Sequence, residues 1–115
     1  MITFKNGKTF TLLNVHGGII VYQGAKRDML DFRVSVESTT LDELNVLAKD
    51  SDATSEITYT TSEGTHIQSG YTVPLGVGRI YNEDGTSELY IKLAQKSNLE
   101  LKVAQLEAAV AALTN

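Results

Sequence analysis

The alternation of apolar and polar residues is the feature that most restricts the fold of this 115-residue chain. The clearest run is MLDFRVSVE, in which every second side chain is apolar: Leu30, Phe32, Val34 and Val36. Side chains along a strand point to opposite faces in turn, so this period predicts a strand with one buried face. The same period recurs over most of the chain, which indicates a protein built mainly of β-sheet.

Turn residues separate these runs at the spacing of hairpins. The first turn is the Asn-Gly pair at residues 6 and 7, and both residue types tolerate positive φ. A loop at residues 6–8 would pair Phe4 with Phe10 and keep both rings on one face. A shorter loop of the Asn-Gly pair alone would pair Phe4 with Thr9. Burial of one face favours the longer loop.

Two further hairpins are predicted later in the chain. In the first, a loop at residues 62–64 would place Ile67 on the apolar face of the preceding strand. In the second, a loop at residues 82–85 would place Arg79 opposite Glu88, an exposed pair of opposite charge.

One internal segment changes to a helical period. Thr40 followed by Glu43 fits a capping box, in which the threonine oxygen accepts from an early backbone N–H and the glutamate reaches back. The apolar stripe that follows occupies Leu41, Leu44, Leu47 and Ala48. This spacing predicts a helix of about ten residues that packs on a sheet.

These elements together predict the fold class. Strands joined by hairpins, with a single internal helix, indicate an α+β fold whose mostly antiparallel, twisted sheet curls into a small barrel or sandwich. Strand–helix–strand units do not repeat, so we do not expect a doubly wound parallel sheet. Pro74 cannot donate to a ladder, which places it at an edge or a bulge.

The C-terminal residues 97–115 follow a different pattern and are predicted to form a helix after the strand-rich domain of residues 1–96. Ser97 and Glu100 fit a second capping box, so the helix begins there. Its apolar residues follow in steps of four and three: Leu99, Val103, Leu106, Val110 and Leu113. This is the spacing of a coiled-coil seam about two heptads long.

The seam predicts a protein–protein interface. Valine at a and leucine at d favour two parallel helices, in which Lys102 of one copy faces Glu107 of the other. The many alanines permit close contact, which fits a trimer or docking on another helix. The same spacing also fits a helix that folds back onto its own sheet, so packing within or between chains stays open. Isolated helices of this length are marginal in water, and the tail therefore needs a partner.

Composition restricts the classes of function. The chain has no cysteine, which excludes disulfides and thiolate metal sites. Its formal net charge of −4 lacks the basic character of a nucleic-acid-binding protein. No apolar run reaches the roughly 18 residues of a membrane span, and the first residues do not fit a signal peptide. We therefore expect a cytoplasmic protein without membrane or nucleic-acid partners.

Residues able to carry catalysis or to bind a metal are few and scattered. His16 is expected in a turn and His66 on a polar strand face, and isolated histidines do not make a metal site. The run DSDATSE resembles a calcium loop, but Ser55 and Thr61 stand where such a loop needs glycine and glutamate. In AKRDMLDF, the charges of Arg27, Asp28 and Asp31 come at the start of a strand and are expected to form a turn with a solvated ion pair. We predict that the protein is not an enzyme and has no catalytic residue, cofactor or metal.

Four short motifs resemble those of small proteins encoded among tail and baseplate genes of phages and prophages of Gram-positive bacteria. They are ITFKNGKT, QGAKRDML, TLDEL and AQKS, spread over most of the chain. The resemblance implies a structural or assembly role, with self-association as a parallel dimer or trimer or binding to other phage structural proteins. It also implies a location in the cytoplasm of the host bacterium or in the virion. The alternative is a monomeric adaptor or inhibitor whose acidic surface binds a basic partner.

Overall fold

The computed structural model describes residues 1–114, which form eight β-strands and two α-helices. The strands are β1 (Ile2–Phe4), β2 (Thr9–Phe10), β3 (Leu12–Tyr22), β4 (Ala25–Ser35), β5 (Glu56–Thr61), β6 (Gly64–Ser69), β7 (Val73–Tyr81) and β8 (Ser87–Ala94). The helices are α1 (Leu41–Ala48) and α2 (Asn98–Thr114). A short 3₁₀ helix, Ala53–Ser55, follows α1. Asn115, the last residue of the predicted tail, lies outside the described residues.

The strands form two antiparallel sheets of four strands each. The first sheet has the order β2-β1-β5-β6 and the second has the order β3-β4-β8-β7. The sheets share one core, in which the ring of Phe32 on β4 meets the ring of Tyr59 on β5 edge to face, with centroids 5.4 Å apart. The α+β prediction is confirmed, and the sheets are stacked as a sandwich.

The core contains the alternating residues that the sequence singled out. Leu30, Phe32 and Val34 are buried, as predicted. The helix α1 lies against β7 and β8 and buries Leu44 and Leu47 in the same core. Burying a large aliphatic or aromatic side chain contributes about 1.5–3 kcal/mol, so this shared core is what holds the two sheets and α1 together.

The capping box of α1 forms only in part. The Thr40 hydroxyl accepts from the Glu43 backbone N–H at 3.2 Å, as expected. The Glu43 carboxylate, however, accepts from the hydroxyl of Thr39 at 2.9 Å. The helix has eight residues and is thus slightly shorter than the pattern predicts.

The register of the first hairpin differs from both predicted alternatives. Ile2 pairs with Phe10, so both loops proposed from the sequence are wrong. Gly7 has a φ of 87°, and its left-handed conformation closes the turn that follows Phe4. The observed register is shifted by two residues from the favoured one, which preserves the face. Ile2, Phe4 and Phe10 are therefore all buried despite the shift.

The second hairpin has a shorter loop than predicted, and this reverses one side chain. Thr61 pairs with Gly64, which leaves a loop of only two residues. Ile67 then lies opposite Thr58, and its side chain is 65% exposed. The prediction that Ile67 shares the apolar face is wrong because a slip of one residue turns every side chain to the other face.

The third hairpin also has a different register. Arg79 lies opposite Leu89, so the predicted pair with Glu88 is wrong. Arg79 donates to the Ser87 hydroxyl at 2.8 Å, whereas Glu88 forms an ion pair with Arg33 at 3.0 Å on the neighbouring strand β4. The prediction for Pro74 is confirmed, because it lies on the edge strand β7 at a break in the register.

The longest hairpin joins β3 and β4, and the sequence did not predict its length. Both strands have 11 residues, and they run through the segments expected to be turns around His16 and AKRDMLDF. Two of the charges expected in solvent, Arg27 and Asp31, are buried. The Asp31 carboxylate accepts two hydrogen bonds from Arg33, at 3.0 and 3.2 Å, which offsets the cost of its burial.

Candidate interaction surface

The helix α2 begins with the capping box that the sequence predicts. The Ser97 hydroxyl accepts from the Glu100 backbone N–H at 3.2 Å, and the Glu100 carboxylate accepts from the Ser97 backbone N–H at 2.9 Å. These reciprocal bonds satisfy backbone donors that the first helical turn leaves free. The helix therefore begins at Asn98, a short connection after β8 ends at Ala94.

A buried arginine attaches the base of α2 to the second sheet. The Arg27 side chain is only 2% exposed and forms an ion pair with Glu100. Its Nε donates to the Tyr22 carbonyl at 3.0 Å, and the Nη1 that contacts Glu100 also donates to the Gln95 carbonyl at 3.3 Å. Because Arg27 lies near the turn of the β3–β4 hairpin, these contacts set the position of the first turn of α2 beside that turn.

The environment of Glu100 keeps its carboxylate charged. The Ser97 backbone N–H donates to it, and the Arg27 guanidinium lies against it. Together they lower the pKa of Glu100 to about 2. A carboxylate near a helix N-terminus also interacts favourably with the helix dipole.

Beyond its first turn, α2 is exposed on all sides. Every residue from 101 to 113 is exposed, and the structure measures 58 Å along its longest axis against 30 Å along the other two. The seam predicted from the sequence is exposed at all five positions: Leu99 72%, Val103 46%, Leu106 67%, Val110 53% and Leu113 85%. The structure thus does not adopt the alternative in which the helix folds back onto its own sheet.

Charged residues flank the seam. Lys102 and Glu107 are both exposed, and neither forms an ion pair with another residue in the described part of the chain. Both are therefore available to a partner. The tail presents an apolar stripe with one cation and one anion beside it, at the g and e positions of the heptad.

The sequence did not reveal the role of Arg27. An arginine between Lys26 and Asp28 in a polar stretch has the pattern of a solvated turn, and no local spacing relates it to Glu100. The two residues are 73 positions apart and meet only because β8 pairs with β4 and carries α2 to the hairpin. The one local signal was the capping box, which located Glu100 at the start of the helix.

The remaining candidate residues are placed apart from one another. His16 lies on β3 with its Nε2 atom 3.1 Å from the Asn14 amide, and His66 stacks on Tyr59 with ring centroids 5.1 Å apart. Asp50 accepts from the backbone of the 3₁₀ helix that follows α1. Across residues 1–114, no group of three His, Cys, Asp or Glu side chains is placed to hold a metal ion.

Within the described residues, no helix is both long and apolar enough to cross a lipid bilayer. Searches against models of protein families, curated proteins and solved structures found no match.

Proposed function

We propose that this chain is a structural or assembly protein of the phage tail or baseplate type, which associates with further copies through α2. The resemblance of its four motifs supports the phage assignment. The observation that carries the association is the exposed seam of α2. An apolar stripe on a helix that projects into solvent has no stabilising contact until another helix covers it.

The charge pattern favours a second copy of the chain as the partner. In a parallel pair, Lys102 of each helix faces Glu107 of the other, so two attractive pairs form beside the seam. The attachment of Glu100 to Arg27 holds the base of the helix in place. A helix held at its base loses less freedom on binding than a flexible tail does, and this pre-organisation increases affinity.

The seam is large enough for weak association. Each fully buried Leu or Val contributes about 1.5–3 kcal/mol. Loss of translational and rotational freedom costs at least about 4 kcal/mol, and ordering of side chains adds to this cost. We therefore expect a dimer or trimer whose population rises with concentration.

Light scattering on the full chain tests this proposal. We expect Leu106→Asp, in the middle of the seam, to convert the oligomer to smaller species because it places a charge in the contact. Leu101→Asp is the matched control, since Leu101 is 47% exposed but lies opposite the seam. The proposal is wrong if the wild type is monomeric at high concentration, or if both variants change the mass equally.

The parallel orientation can be tested on the same helix. A spin label attached through Ala112→Cys lies off the seam, near the end of the described helix. Parallel pairing places the two labels side by side. Antiparallel pairing about Leu106 separates them by roughly 18 Å along the axis, at about 1.5 Å per residue. Separated labels in a confirmed oligomer would contradict the parallel arrangement.

The alternative function, a monomeric adaptor or inhibitor, is favoured by a different feature. A groove of about 370 Å³ lies between α1 and the first hairpin. Phe10 and Leu47 form its apolar floor, and Asp42 and Asp50 border it. Such a groove suits an apolar side chain flanked by basic residues. A monomer at high concentration that binds a basic amphipathic peptide would support this function over self-association.

A further inference from the structure

Over most of its length, the edge strand β3 lacks the features that normally prevent edge strands from pairing. It is 11 residues long, LLNVHGGIIVY, and contains no Asp, Glu, Lys, Arg or Pro. Natural edge strands are usually short, or they carry charges, prolines or bulges that block another strand. The opposite edge of the same sheet, β7, has both Pro74 and a break in register. β3 has one break in register of its own, between Leu12 and Asn14, but over residues 14–22 it pairs with β4 without a break.

The far end of β3 also exposes two large apolar side chains. Ile19 and Val21 are 74% and 67% exposed. Both have the same parity as Val15, which packs against the core, so they lie on the core-facing side of the sheet. Their cross-strand neighbours are Asp28 and Lys26, which do not cover them. The hairpin thus extends its apolar face beyond the first sheet.

The near end of β3 borders a groove. A groove of about 390 Å³ lies between residues 12–15 of β3 and residues 60–62, where β5 turns into β6. Hydroxyl and amide groups form much of its lining. The apolar side chains of β3 are thus Ile19 and Val21 at the far end and the half-buried Val15 at the near end, and an antiparallel pair of two copies would bring these ends together.

We propose that β3 pairs antiparallel with β3 of a second copy, across a two-fold axis that passes between the Gly18 residues of the two copies. In this register Val15 lies opposite Val21 of the second copy, and Gly17 lies opposite Ile19. Ile19 then covers a position without a side chain, and Val21 lies next to the groove. The two-fold axis is normal to the sheet, so the core-facing sides of both copies point in the same direction. The second sheet of one copy then joins the second sheet of the other to form one sheet of eight strands.

This pairing closes after two copies. A two-fold interface uses the same surface on both partners, which leaves no free β3 edge to extend a fibre. No charged residue is opposed in the register, because β3 contains none. Backbone hydrogen bonds supply affinity in such strand additions, and the alternate side chains select the register. The interface is separate from the seam of α2, so each copy would carry two self-association surfaces, one on the strand edge and one on the tail.

Cysteine cross-linking tests the register directly, because the natural chain has no cysteine. In an antiparallel pair, residues directly opposite have Cα atoms about 4.5–5.5 Å apart, within the range that a disulfide spans. A Cβ atom at Gly18 meets only Met29 Cε, at 3.8 Å, so Gly18→Cys fits the fold. The matched control is Gly76→Cys on β7, where a Cβ atom meets nothing within 4 Å.

Each cysteine is introduced separately into the Leu106→Asp variant, so that the tail does not bring copies together. At micromolar concentration under mild oxidation, we expect Gly18→Cys to form a disulfide-linked dimer roughly tenfold faster than Gly76→Cys, because pairing raises the effective thiol concentration. Equal rates for the two cysteines would overturn the proposal.

Lysines on the strand edge provide the second measurement. Ile19→Lys with Val21→Lys should abolish the rapid cross-link, since edge lysines oppose strand pairing. Ile67→Lys, on the edge strand β6 and 65% exposed in the native protein, should leave the cross-link unchanged. Retention of the cross-link with both lysines in place would overturn the pairing.

Light scattering separates this inference from the proposed function. A Leu106→Asp variant that stays dimeric, and becomes monomeric only with the two β3 lysines, supports strand pairing. If the wild type with the two lysines also remains oligomeric, the tail seam acts independently. A Leu106→Asp variant that is monomeric at all concentrations overturns strand pairing and leaves the tail interface standing.

Discussion

The sandwich and the tail are stabilised in opposite ways. Residues of both sheets and α1 share one core, in which Ile2, Phe32 and Ile91 have no exposed surface. From residue 101 onward, every described side chain of α2 that the structure places is exposed, and only its first turn contacts the sheet, through Glu100 and Arg27. The sandwich therefore contains its own driving force for folding, whereas the tail has an apolar stripe whose burial requires a second molecule.

The largest expected effect tests the self-sufficiency of the sandwich. Phe32→Ala removes a fully buried ring that contacts the other sheet, and we expect it to lower the free energy of unfolding by about 3–5 kcal/mol. Val46→Ala, on the exposed face of α1, should change it by less than about 0.5 kcal/mol. Urea denaturation measures both. A small loss for Phe32→Ala would mean that the two sheets are less dependent on each other than their shared core indicates.

A somewhat smaller effect is expected within the second sheet. A Cβ atom at Gly78 would lie 2.5 Å from the Tyr90 ring, so Gly78→Ala must displace that ring. We expect a loss of about 1–3 kcal/mol, as for other overpacked sites. Gly76→Ala is the control on the same strand, because its Cβ atom would meet no atom within 4 Å. Equal stability of the two variants in thermal melts would show that Tyr90 moves aside without cost.

The attachment of the tail should depend on pH. The pKa of Glu100 falls from its ordinary value of 4.5 to about 2 in the folded chain. Its contribution to the stability of the tail's attachment is therefore fully present above about pH 4.5. The contribution is lost as the pH falls through about 2, when the carboxylate is protonated. In the Leu106→Asp background, we expect helical circular dichroism to decrease over this range and hydrogen exchange at the first turn to accelerate.

Glu100→Gln is the control for this titration. The glutamine keeps the side-chain size but cannot titrate. The decrease in helical circular dichroism between pH 4.5 and 2 should therefore be largely absent in this variant. An identical acid transition in both proteins would assign it to other carboxylates of the chain and contradict the role of Glu100.

The smallest expected effect concerns removal of the tail. A chain that ends at Ser97 keeps every strand and α1, and Arg27 becomes accessible to water when Glu100 is absent. We expect its free energy of unfolding to remain within about 1 kcal/mol of the monomeric full chain, in the range of changes at surface sites. Chemical denaturation at low concentration measures this. A collapse of stability on truncation would instead show that α2 belongs to the core and would remove the distinction between the two regions.

Local patterns predicted a large part of this fold. Period-two alternation identified the buried face of β4, and Ser97 with Glu100 identified the start of α2. The hairpin registers were not predictable in the same way. An Asn-Gly pair marks a turn but permits several loop lengths, and the choice depends on where the following strand must pair. After Phe10, the chain leaves the first sheet and joins the second as β3, which no local pattern indicated.

The candidate sites show the same division. The five seam residues were identified from their spacing alone, since a heptad is a local pattern. Burial of Arg27 and exposure of Ile19 were not predicted, because each depends on how far one part of the sandwich extends past another. Arg27 is covered only when β8 delivers the tail to the hairpin. Ile19 is exposed only because the first sheet ends before the hairpin does.

The sequence by itself determined most of the strands, both helices and the start of the tail, because side-chain period and capping act over a few neighbouring residues. The full length of the β3–β4 hairpin was not among them. The tertiary structure alone decided the registers, the partition of strands between two sheets and the partners of the buried charges. These depend on contacts between segments far apart in the chain, such as Arg27 with Glu100. A contact of that kind forms only when the whole core brings both segments together, so no local pattern encodes it.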